Sequence, residues 1–161
     1  MADEPWKTGI VDQDKYKKFQ SDSGDPTRDD TRFLAAIIKS TEDAVISESL
    51  DGKVMSWNPA AETMFGYSEK EAIGEQLAEL IGPPGREKDF EELLQKVKKG
   101  EKIERYETQR KRKDGSTFSV SVTVSPVRDE KGKIVGLSAI DRDITQQQQS
   151  AQYARSLIEA S

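Results

Sequence analysis

Carboxylates are the only side chains of this sequence that could do acid–base work near neutral pH, because it contains neither histidine nor cysteine. That excludes a thiolate nucleophile, a disulfide, Cys-bound zinc, His-ligated haem and a phosphohistidine within these residues. None of the patterns GxGxxG, GxxxxGK[ST] or GxSxG occurs. The acidic residues fall mostly at expected helix starts and turns, where they are solvated. No catalytic residue and no metal ligand is expected. The basic run "RKRK" at 110–113 has no interleaved aromatics and sits at an expected hairpin tip. With a net charge of −5, it reads as a solvated turn. Nucleic acid and an anionic membrane surface are not expected partners. No apolar run approaches the roughly eighteen residues a membrane span needs.

Two other spots could do local work. Asn58, the only asparagine, precedes Pro59 in "SWNPAAETMFGY", where a helix N-cap and a first-turn proline belong. In "DRDIT", Thr145 and Gln148 have capping-box spacing, and Asp143 lies near the same positive helix end.

The elements that must position these residues follow from periodicity. Residues 1–28 are polar and read as a tail with a short helix at 12–20. In 29–40, Phe33, Leu34, Ile37 and Ile38 form one helical face behind an acidic start. "DAVISESLDGKVMSW" gives two strands joined at Asp51-Gly52. Ala61, Met64 and Phe65 form the stripe of a short helix stopped by Gly66. Ser68 and Glu71 have capping-box spacing for a second, and Leu77, Leu80 and Ile81 mark a third. Gly82-Pro83-Pro84-Gly85 breaks the chain. Phe90, Leu93, Leu94 and Val97 then describe a longer helix ending at Gly100.

The period next changes to two. "KIERYETQRKR" predicts a polar strand. "STFSVSVTVSP" alternates, with Phe118, Val120, Val122 and Val124 on one face, and "IVGLSAIDRDI" is the last strand. A helix runs from Thr145 to the end. Five antiparallel strands with helices clustered mid-sequence make an α+β domain. Met64, Phe65, Leu80, Phe90, Leu94, Val97, Val122 and Val124 either line a cavity or fill a core. None supplies a charged anchor. Arg105 and Arg110, among polar neighbours, are expected on a solvated edge.

From about Phe33 to Thr145 the sequence resembles a PAS domain. The likeness rests on "DGKVMSWNPAAETMFGYSEKEAIG", "RYETQRKRKDGSTFSVSVTVSP" and "DEKGKIVGLSAIDRDIT", in that order. It implies a five-stranded antiparallel sheet with helices over one face and a small cavity between, in a sensory or dimerisation module. On this account Asn58 fixes the corner between strand and helices, with a ligand contact also open. Met64 and Phe65 face the cavity or core. The family's cysteinyl-flavin, haem and coumaroyl sensors need residues absent here. A noncovalent flavin (FAD or FMN), a small metabolite or no ligand remain. Asp143 and Thr145 match the family's exit from core to output helix.

Residues 152–161, "QYARSLIEAS", align with 32–41, "RFLAAIIKST". This suggests that the final helix, 146–161, begins a second repeat after a domain at 29–145. Exposed apolar faces on both flanking helices suggest a homodimer. The implied setting is a cytoplasmic two-component or similar protein, with adjacent signalling domains.

Overall fold

A computed structural model describes the backbone of residues 26–160 and the side chains of residues 30–160. The expected helix at 12–20 lies outside the described residues, as does the tail up to residue 25. The chain is already helical at Pro26, ahead of the expected boundary at 28. In order, the elements are α1 (Pro26–Ser40), β1 (Ala44–Ser49), β2 (Val54–Trp57), α2 (Pro59–Phe65), α3 (Glu69–Ala72), α4 (Leu77–Ile81), α5 (Glu87–Lys98), β3 (Ile103–Lys111), β4 (Thr117–Arg128), β5 (Ile134–Asp143) and α6 (Thr145–Glu159). The strands form one antiparallel sheet in the order β2-β1-β5-β4-β3. This is the expected α+β architecture.

The valines of β4 explain which face is covered. Phe118, Val120, Val122 and Val124 are all buried, while Ser119, Ser121 and Thr123 between them are partly exposed. Alternation therefore sends one row inward beneath the helices. Trp57, Phe65 and Phe118 stack through the core as tilted neighbours, with ring centroids 5.5 and 5.7 Å apart. The Trp57 indole N–H donates to the Tyr67 carbonyl at 3.0 Å, so the buried ring leaves no orphan donor.

Local signals set the short helices. Gly66 closes α2 at φ 85°, a left-handed position that favours glycine. Ser68 and Glu71 form a reciprocal capping box on α3. Glu87 and Asp89 stand in the first turn of α5, and Lys96 and Lys98 in its last, in accord with the helix dipole.

Asn58 does more than cap. Its Oδ1 accepts from Ala61 N–H at 3.0 Å, the cap proper, and from Val45 N–H at 2.9 Å in β1. Its Nδ2 donates to the carbonyls of Ile38 in α1 and Asp43 before β1, both at 3.0 Å. One amide thus ties the leading helix, the sheet and α2 together, and its hydrogen-bonding capacity is spent within the chain. A ligand hydrogen bond to Asn58 would have to displace one of these four.

Asn58→Ala strands four backbone groups at once. It should lower unfolding free energy by about 2–4 kcal/mol, beyond the roughly 1 kcal/mol of a simple cap. Urea denaturation checks this, and a loss at the simple-cap level would contradict the four-way joint.

Candidate functional site

The sheet's inner face is not wholly apolar. Alternation in β1 puts Glu48 on the same face as buried Ala44 and Ile46. In β5 it puts Asp141 on the face of Leu137 and Ala139. In β3 it turns Thr108 and Arg110 inward. Arg110 and Asp141 side chains are each only 3% exposed. Glu48 is half-buried. Together with Ile46, Leu77, Ile81, Phe90, Leu93, Val122, Val124, Leu137 and Ala139 they line a cavity of about 20 Å³ beneath α5. That is room for about one water.

The three ionisable groups do not satisfy one another. Arg110 Nε lies 4.0 Å from Asp141 Oδ2, too far for a hydrogen bond, and has no hydrogen-bond partner among the described residues. Arg110 Nη1 donates to the Gln109 carbonyl at 3.1 Å, and the guanidinium rests 4.3 Å from the centre of the Phe90 ring. Burial is the main force on all three charges. It raises Glu48 to about 7, with the Asp141 charge adding to the rise and Arg110 opposing it. It raises Asp141 to about 6, again against Arg110. It also lowers the Arg110 pKa, against the pull of Asp141, Asp89, Tyr106 and Glu48.

Phe90, Val122 and Val124, expected as pocket lining, do line the cavity. Phe65 and Val97 are instead fully buried core, while Met64, Leu80 and Leu94 pack half-buried against that core. The expectation of no charged anchor is corrected by Glu48, Arg110 and Asp141. Arg110 belongs to the interior rather than a solvated edge, because the β3 alternation that buries Thr108 also buries position 110. In the "RKRK" run, Arg110 and Lys111 end β3, and Lys113 stands exposed in the turn that follows. Arg112 lies 3.8 Å from the centre of the Phe118 ring, and Lys113 pairs with Glu71 and stands 5.8 Å from the Tyr67 ring centre. At about 20 Å³ the cavity is too small for the ring system of a flavin. No group of metal-binding side chains occurs among the described residues.

The exit to α6 also departs from expectation. Thr145 and Gln148 form no capping box. Ile144, buried, takes the N-cap position, and its N–H donates to the Ser119 carbonyl at 3.1 Å. Thr145 is the first helical residue, and its Oγ1 is buried with no hydrogen-bond partner among the described residues. Asp143 does the local work. Its Oδ1 accepts from Thr145 N–H at 2.9 Å, and its Oδ2 pairs with Arg112 Nη2 at 3.4 Å.

A pH dependence follows from the buried carboxylates. Their folded pKa values lie above the ordinary 4.5 and 3.8, so the folded state holds more protons. Their contribution to stability is complete below those ordinary values and is lost as pH rises through about 6 and about 7. Glu71 works oppositely: hydrogen bonds from Lys113 and the Ser68 backbone lower it to about 2, so its contribution fades at strongly acid pH. Denaturant midpoints should show Glu48→Gln gaining on the parent protein as pH rises from the ordinary 4.5 to about 7, with the difference level above that. A difference constant throughout would contradict a carboxylate that titrates inside the fold.

Comparison with known proteins completes the picture. Residues 32–144 match the family model described as PAS fold. Two-component system protein A of Emericella nidulans is 32% identical over 101 residues, which are 62% of this chain and 14% of that protein. The signal transduction histidine-protein kinase AtoS of Escherichia coli is 28% identical over 109 residues, 68% of this chain and 17% of that protein. The chain thus spans less than a fifth of the length of either relative. The crystal structure of a PAS domain from Colwellia psychrerythraea superposes with a TM-score of 0.66 at 29% identity, covering 72% of this chain and 98% of that one. The chain belongs to the PAS family.

Proposed function

We propose that this PAS sensory domain is a non-catalytic module that passes a ligand- or partner-induced change to neighbouring signalling domains through α6. The observation that carries the reading is the joint at Asp143. One carboxylate holds Arg112 at the end of β3 and also the first N–H of α6. The neighbouring Ile144 N–H is held by β4. A shift of the sheet's strands therefore acts directly on the root of the helix. The two curated relatives, by name a two-component system protein and a histidine-protein kinase, support the same setting. No helix of the described residues is long and apolar enough to cross a membrane, and the cytoplasm is the proposed compartment.

The flanking helices supply the output surface. Phe33 and Leu34 on α1, and Tyr153 and Leu157 on α6, are each more than half exposed. Large apolar side chains gathered on one helix face call for a covering partner, and a second copy of the chain is the simplest. Such pairing would convert a tilt of α6 into a change of register between two protomers.

Sedimentation tests the pairing. The chain should reversibly dimerise, and Leu157→Glu should weaken association by about tenfold or more, since an interfacial charge without a partner costs over 1.4 kcal/mol. A monomer at high concentration would overturn it. Asp143→Ala should speed amide exchange in the first turn of α6 while leaving β4 protected. Equal protection in both proteins would remove the joint from the mechanism.

A further inference from the structure

We propose that the cavity beneath α5 binds a small amine that also carries a hydrogen-bond acceptor, such as a short amino alcohol. The proposal rests on the sensory reading above and names the class of ligand. The deep end of the cavity holds Arg110 and Asp141, which offset each other in charge yet leave the Arg110 Nε–H without an acceptor. A buried donor of this kind costs free energy until something accepts from it. Glu48, half-buried on the same cavity wall, has a carboxylate that makes no hydrogen bond among the described residues to offset its charge. The site therefore presents one unpaired donor and one surplus negative charge. A matching ligand has an oxygen for Arg110 and an ammonium for Glu48.

The surroundings agree with this polarity. The walls are Ile46, Leu77, Ile81 and Leu137, which give no competing polar group. The charges facing the cluster are Asp141 from β5, Arg110 from β3 and, on the Arg110 side, Asp89 from α5 and Tyr106 from β3. The roof is made by Phe90 and Leu93 of α5, both only half-buried. That helix lies between Gly85 and Gly100, whose φ angles are 84° and 92°. A ligand larger than one water enters by a small outward movement of this helix. A proton on Glu48 competes with the ammonium, so binding weakens as pH falls through about 7.

Calorimetric titration of the purified chain at mildly alkaline pH tests the proposal, with ethanolamine as probe. Ethylamine, which lacks the acceptor, and ethylene glycol, which lacks the charge, are the comparisons at matched ionic strength. Ethanolamine should bind saturably and more tightly than either. Glu48→Gln should weaken it by roughly 30-fold, as for truncating one side of a buried charge pair. Glu48→Gln removes a charge that burial disfavours, so it should fold; circular dichroism confirms that. Arg110→Met should abolish the preference for ethanolamine over ethylamine. No saturable binding, equal binding of the three probes, or unchanged affinity in Glu48→Gln would each overturn the assignment. Sedimentation of the same samples separates the two levels. A dimer that binds no amine sinks the ligand class alone, whereas a monomer sinks the pairing proposed for the flanking helices.

Discussion

Four hydrogen bonds to the Asn58 amide set the geometry on which the other features depend. They fix where α1 ends, where β1 begins and how α2 leaves the sheet. With that corner set, α2 to α5 fold back over the inner face, and the valines of β4 find a cover. Asparagine is suited to the task because one planar group offers two donors and two acceptor lone pairs. Aspartate would keep the acceptors but lose both donors, and would bring a negative charge against the carbonyls of Ile38 and Asp43. The same amide also connects the leading helix to the sheet, so movement of α1 and movement of the core are not independent.

The fold departs from consistency in one place. Three ionisable side chains sit under α5 where a hydrophobic residue would do better for stability. Burying charge is costly, and an apolar replacement of similar volume is often neutral or stabilising. Local rules are broken most often where a protein does something besides fold. Here the break coincides with the cavity beneath α5. The nearby joint at Asp143 lies two residues beyond Asp141 on β5. The cavity's Asp141 and the Asp143 joint thus stand on one strand, β5, which leads into α6.

Much of this was legible in the amino-acid sequence. Phe118 and the alternating valines 120, 122 and 124 specify a buried sheet face. Phe90 to Val97 specify α5, and Ser68 with Glu71 specify the start of α3. Asn58 could be read as a cap, since capping is local. Its bonds to Ile38, Asp43 and Val45 could not, because they join residues 13 to 20 positions apart. The polar cluster went unread for a different reason. Arg110 and Glu48 stand among polar neighbours, and composition suggested solvent. Strict counting by two along "AVISES" and "LSAID" would have turned Glu48 and Asp141 inward with Ala44, Ile46, Leu137 and Ala139. At Thr145, the capping-box spacing misled because Ile144 is buried against the sheet and takes the N-cap position, which starts the helix one residue earlier than a threonine cap would.

The central claim is that a side chain, rather than a backbone ladder, holds the corner together. The Val45 and Ala61 amides report on it directly, because each donates to Asn58 Oδ1. Native-state hydrogen exchange should find both amides opening only with global unfolding, as protected as Ile46 in the core. Exchange of either one by a local opening, orders of magnitude faster than Ile46, would contradict the account.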